Sequence, residues 1–273
     1  MSLASTADRP RRATAESAVH DLLVLWQHRE TRRIHPIGRF SFDGETYGFS
    51  YTRHAHCIPD FRPLPGLPLD GESYRSTRMP TLFRQRTMSP SRPDFGSAMQ
   101  NLGIAPEDAT PWEQIVHSGG RRAGDTLQFM QLPVVAEGRV HTRFLTNGIR
   151  YIPNGTTRIV DEMPLEVSPA AHERALGALR TGEELRLLPE QGNPEDADAV
   201  LIVADRVPVG WVPRLLATGL RELMGGGRPI RTTVARIAGP SAPPHVRLVV
   251  DLVAEAPPGF MFDVTGAWEP HRR

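Results

Sequence analysis

The segment from Asn193 to Arg214, NPEDADAVLIVADRVPVGWVPR, constrains the fold more than any other part of the chain. It orders a polar turn, an apolar strand, a short turn, a second strand and a helix start. Pro194 and the Asn and Asp residues around it favour a turn, because proline presets φ and Asn/Asp side chains bond their own backbone. Ala199 to Val203 and Val207 to Val212 are short apolar runs rich in β-branched side chains, which suit a pleated surface. Gly210 marks a bend or a close backbone approach in the second strand. Pro213 suits the start of a helix that Leu215 to Met224 continues.

This order resembles the HIRAN family, whose pattern is an Asn-Pro-x-Asp-x-x-Ala turn, a strand, a Val-Gly strand and a helix. Upstream, Asn147-Gly-Ile-Arg-Tyr151 looks like the family's first strand, so the resemblance covers about residues 140–255. It implies an OB-like, partly closed β-barrel with one main helix. It also implies DNA binding, in some members at the free 3′ end of a single strand. The matching positions place Asn193 and Asp196 near the bound end, Arg150 and Tyr151 along the strand, and Arg214 at a phosphate. A carboxylate repels phosphate but accepts a hydrogen bond from a terminal hydroxyl, so an acid inside a basic groove tests for an end. Where many family members carry an aromatic between the Asn and the Asp, this chain has Glu195, which adds negative charge and cannot stack. Trp211 is the candidate replacement ring. Two plainer readings stand beside these: Asn193 and Asp196 build an Asx-type turn, and Trp211 belongs to the core.

Charge supplies the second line of argument. All 32 basic residues are arginine, and each is a planar fork able to grip phosphate with two hydrogen bonds. Residues 206–247 carry 7 arginines and 1 acid, whereas residues 161–205 carry 3 arginines and 11 acids. If the two segments fall on opposite faces, one face steers nucleic acid; otherwise this is ordinary surface scatter. The run from Ser73 to Pro93 holds Arg75, Arg78, Arg84, Arg86 and Arg92 with Tyr74 and Phe83 interleaved and no acid. Such a stretch suits a phosphate backbone, or its arginines pair with acids elsewhere. Arg121-Arg122 after Gly119-Gly120 is either a plain helix stop or a close approach to phosphate.

The first half reads as strands over Leu22 to Trp26, Ile37 to Phe42 and Glu45 to Tyr51, with Asp43-Gly44 as a hairpin signal. Helices are expected over Thr81 to Arg86, Arg92 to Leu102 and Pro111 to Ser118, then strands over Thr126 to Val135 and Val140 to Tyr151. Leu25-Trp26, Ile37-Gly38, Tyr47-Gly-Phe-Ser-Tyr51 and Leu67-Pro-Leu69 give residues 22–133 a resemblance to the N-terminal subdomain of HipA-type toxin kinases. The kinase body is absent: there is no Gly-rich phosphate loop and no catalytic Asp/Asn pair.

Together these observations predict an α+β chain: a disordered arm over 1–20, a small sheet-plus-helices domain over 21–138, a HIRAN-like barrel over 139–256 and a tail over 257–273. Cys57 is the single cysteine, which excludes an internal disulfide and fits a reducing cytoplasm. No apolar run approaches the ~20 residues a membrane helix needs, so no membrane partner is expected. His54, His56, Cys57 and Asp60 lie close together but lack a second cluster, so no metal and no cofactor are assigned. No catalytic residue is assigned either. The expected function is non-catalytic binding of single-stranded DNA or 3′ ends, in DNA repair or defence against foreign DNA, with a protein partner encoded nearby also considered. The alternative is a protein-interaction or regulatory adaptor that keeps the barrel as scaffold.

Overall fold

The computed structural model describes residues 20–69, 73–122, 124–158 and 164–271; most of the expected arm over 1–20 lies outside them. Helices combine with two main antiparallel sheets. No helix among the described residues is long and apolar enough to cross a membrane.

The first sheet has five strands: β1 (Asp21–Gln27), β2 (Ile34–Phe42), β3 (Tyr47–Tyr51), β4 (Tyr74–Ser76) and β5 (Leu127–Gln131). Their spatial order is β4-β3-β2-β1-β5. Three short helices, α1 (Thr81–Arg84), α2 (Phe95–Leu102) and α3 (Pro111–Ser118), follow β4. Thr110 caps α3 by accepting a bond from the Glu113 amide at 3.2 Å. The aromatic side chains form one core: Phe40 stacks edge-on against Phe83 at 4.7 Å and lies 5.1 Å from Trp112.

Strand β1 explains why the two sheets share a body. Its Leu22 and Val24 enter that aromatic core, whereas Leu23 and Leu25 enter the core of the second sheet. Alternate side chains of a strand point to opposite faces, so an unbroken apolar run is buried on both. Each such leucine contributes about 1.5–3 kcal/mol of burial.

The second sheet contains β6 (Val134–Ala136) and β7 (Arg139–Leu145). A two-stranded hairpin of β8 (Thr156–Thr157) and β9 (Leu165–Glu166) and helix α4 (Pro169–Ala178) intervene. The second sheet then continues with β10 (Glu184–Pro189), β11 (Val200–Ala204), β12 (Val207–Trp211), helix α5 (Arg214–Gly225), β13 (Ile230–Ile237) and β14 (Leu248–Glu255). The spatial order is β12-β11-β10-β13-β14-β7-β6. The division expected at 138/139 falls in the turn of the β6–β7 hairpin. Helix α5 buries Leu216, Ala217, Leu220 and Leu223, the one-sided spacing of an amphipathic helix.

Of the partly closed barrel expected, the structure shows an antiparallel sheet without full closure: it curls until Asn147, just past β7, meets Trp211 of β12 in a single bridge. One expectation is corrected: the strand expected through Tyr151 ends at Leu145, and residues Ile149–Asn154 form a 3-10 helix instead. Gly148, at φ 69°, turns the chain out of the extended conformation.

Residues 257–271 run back to the first sheet. Phe260 and Trp268 are buried, Glu269 accepts from the Arg53 amide at 2.9 Å, and Pro270 bridges Thr52.

Candidate nucleic-acid interface

The near-closure of the second sheet builds the site. Asn147 and Trp211 exchange two backbone hydrogen bonds of 2.8 and 2.9 Å. The bonds need glycine at 210, because a Cβ there would sit 2.4 Å from the Thr146 methyl and 2.8 Å from the Asn147 carbonyl oxygen. After the turn, the 3-10 helix buries Ile149 and Ile152 and presents Arg150 and Tyr151. Tyr151 is 54% exposed, and the Arg150 guanidinium lies 4.6 Å from its ring centroid and donates to its hydroxyl. This is a cation–π pair on an open surface.

On the other side of Trp211 lies Glu190, 4% exposed. Its Oε2 accepts the Trp211 indole N–H and the Asn193 amide, both at 2.6 Å. Asn193 in turn accepts at Oδ1 from the Glu195 and Asp196 amides, at 2.9 and 3.1 Å. Asn193 therefore builds an Asx turn, and its polar atoms are engaged within the protein. Trp211 is partly buried against Ile152, Leu201 and Val203. Asp196 emerges from the turn half-buried, with its carboxylate 4.0 Å from the Arg214 guanidinium at the start of α5. Burial raises the Asp196 pKa, against the opposing pull of the Asp198 amide and Arg214. Glu190 escaped the sequence reading; a lone Glu before Gln-Gly carries no local signal of burial.

Between the two sheets runs a cleft of about 860 Å³ lined by Arg29, Arg32, Arg121, Arg122, Arg150 and Tyr151. Among its described lining residues the only carboxylate is Asp125, and Arg86 pairs with it. None of the five lining arginines is ion-paired to a carboxylate among the described residues. Arg121 is anchored by neutral acceptors, Gln128 at 2.7 Å and the Asn147 side chain at 3.2 Å. Burial, and then Arg150, lowers its pKa, yet an arginine resists deprotonation and stays charged. His245, also in the lining, is pushed down to about 4 by burial and then by Arg121, so it is neutral at pH 7.

A second cleft of about 560 Å³ shares Arg121, Gln128 and Asn147 with the first and reaches Arg214. Arg29, Arg32 and Arg121 line the first cleft, and Arg121 and Arg214, the latter beside Asp196, line the second. Of the candidate residues, Arg150 and Tyr151 line the first cleft and Arg214 the second; Asp196 lies beside Arg214, and Asn193 and Trp211 share Glu190, but these three line neither cleft. Arg75, Arg78 and Arg84 are exposed on β4, the turn after it and α1, outside both clefts. Arg86 is not presented to a ligand: its side chain is 3% exposed, donates to the Gly120 carbonyl and pairs with Asp125. Phe83 is fully buried and offers no stacking face. Arg29 and Arg32 were missed because a basic turn between strands looks like any solvated loop until its neighbours are known. Among the described residues, no three His, Cys, Asp or Glu side chains converge as metal ligands.

No protein-family model and no curated protein sequence matches the chain. Among solved structures, it is similar to the HIRAN domain of human HLTF at 18% identity and a TM-score of 0.26, over 44% of this chain and 79% of that one. The HipA-type resemblance of residues 22–133 finds no support in these comparisons.

Proposed function

We propose that this protein binds single-stranded DNA and reads its free 3′ end, acting by recognition rather than catalysis. The observation that carries this reading is Asp196, a half-buried carboxylate set 4.0 Å from Arg214 beside clefts in which arginine prevails. A continuing strand would press a phosphate against that carboxylate and be repelled. A terminal hydroxyl donates to it instead. Asn193, held by Glu190, positions the acid. Arg214, Arg121 and Arg150 hold the phosphates behind the end. The open Tyr151 ring takes a base, a contact worth about 1–3 kcal/mol. Glu195, exposed beside the turn, weakens the hold on the last phosphate. The HIRAN resemblance implies a setting in DNA repair or defence against foreign DNA.

Competition binding with oligonucleotides that differ only at their ends tests the reading. A 3′-phosphate should weaken binding by about tenfold or more, the loss of one hydrogen bond to a charged group. A 5′-phosphate should change little. Asp196→Ala should narrow the gap between hydroxyl and phosphate ends, while Arg214→Ala weakens both alike. Equal affinity for all ends refutes end recognition, and no binding of any oligonucleotide refutes the DNA reading.

A further inference from the structure

We propose that the bound strand continues out of the second sheet onto the first, where the turn between β1 and β2 grips its backbone through Arg29 and Arg32. The inference rests on the DNA-binding reading above and extends it to a second segment of the path. The pairing of β1 with β5 creates the segment. The Gln27 amide donates to the Thr126 carbonyl at 2.8 Å, which brings the turn 28–33 to the residues just before β5. The turn is rigid. His28 Nδ1 accepts from the Glu30 and Thr31 amides at 3.3 and 3.2 Å, and Gln27 donates its side-chain amide to the Arg32 carbonyl at 2.9 Å. Arg32 itself sits at φ 57°, a conformation such bonds must hold in place. Both residues are exposed and, among the described residues, unpaired with carboxylates, and Glu30 of the same turn does not line the cleft. Arg122, tethered to the Gln85 carbonyl at 3.2 Å, stands on the facing wall.

Two features select a nucleic-acid strand as occupant. The cleft volume of about 860 Å³ exceeds what one inorganic anion fills and falls within the ~300–1,000 Å³ of sites for larger ligands. Tyr151 at its rim adds an aromatic face to the row of arginines, the pairing that single-strand grooves use and an acidic peptide does not require. Unneutralised arginines gathered in a cleft also raise the local concentration of a polyanion.

Length dependence isolates this segment. Anisotropy is measured for oligodeoxynucleotides of about 4 and about 12 nucleotides with free 3′ ends, within the range of known single-strand site sizes. The unaltered protein should gain affinity with length. In Arg29→Ala/Arg32→Ala that gain should fall by about tenfold, and the salt slope for the longer strand should drop by about 1.4, for two contacts at about 0.7 each. Arg174→Ala/Arg231→Ala removes two exposed arginines outside the cleft and should keep the gain. Equal thermal midpoints confirm that the variants fold. An unchanged gain in Arg29→Ala/Arg32→Ala overturns the inference, as does an unaltered protein that binds the short strand and gains nothing from length. Displacement of the long strand by poly-glutamate as readily as by unlabelled DNA overturns the choice of occupant. Failure to bind either strand overturns the DNA reading and this extension with it.

Discussion

Glu190 anchors the turn on which the proposed end recognition rests, and its removal has a calculable effect. Both hydrogen bonds at Oε2 are 2.6 Å long, and the carboxyl is 4% exposed. Hydrogen bonds to a charged group are worth about 1.5–3 kcal/mol each. Trp211 and Asn193 are only partly buried, so water recovers some of the loss, and Glu190→Ala should cost about 3 kcal/mol. At about 2–4 °C per kcal/mol the melting midpoint falls by about 6–12 °C. Glu190→Gln can keep its oxygen at the Oε2 position and both donors bonded, though each bond becomes neutral. Its amide then faces the Arg158 N–H that approaches Oε1 at 3.4 Å, so the cost is about 1 kcal/mol. A double-mutant cycle with Trp211→Phe should give a coupling of about 1.5–3 kcal/mol, because Phe lacks the indole N–H. In binding, Glu190→Ala loosens the Asn193 turn and should reduce the preference for a 3′-hydroxyl more than the total affinity. Additive effects in the cycle, or a Glu190→Ala protein melting within about 2 °C of the parent, would refute the argument.

Arg86→Ala should destabilise the protein by about 2–4 kcal/mol in urea unfolding, since it strands the Asp125 carboxylate, whose remaining 27% exposure softens the loss. Arg75→Ala, Arg78→Ala and Arg84→Ala, all at exposed positions, should each stay within about 0.5 kcal/mol. Burial, and then Arg121, pushes the His245 pKa down to about 4 in the folded protein, below its ordinary value of about 6.5. The unfolded chain therefore binds a proton first, so the stability from neutral His245 is complete above about pH 6.5 and is lost as pH falls towards about 4. His245→Gln should flatten the pH dependence of unfolding in that window, and an unchanged profile would contradict it.

Much of the second sheet was legible. The apolar runs at Ala199 to Val203 and Val207 to Val212 and the helix begun by Pro213 and continued to Met224 correspond to Val200–Ala204, Val207–Trp211 and Arg214–Gly225. These are local features: β-branched runs, a proline before a helix and an amphipathic spacing act within a few residues. The expectation failed where a distant partner decides. Tyr74–Ser76 is a strand because the edge of β3 pairs with it, not because three residues of a proline- and arginine-rich stretch favour extension. The reading through Tyr151 missed that Gly148 turns the chain against the Trp211 ring.

The amino-acid order was enough to set the strand and helix periods, the turn at Asn193 and the absence of lysine, since each depends on side-chain type and near neighbours. It also held the two-sided burial of Leu22 to Leu25, visible as an apolar run with no polar alternation. The open barrel, the Glu190 anchor and the arginine cleft arise only on folding. Arg29, Arg121 and Arg150 are far apart along the chain and meet because β1 pairs with β5 and Asn147 closes on Trp211. Coulomb forces and hydrogen bonds depend on distance through space, and no pattern of neighbours along the chain encodes which distances folding will make short.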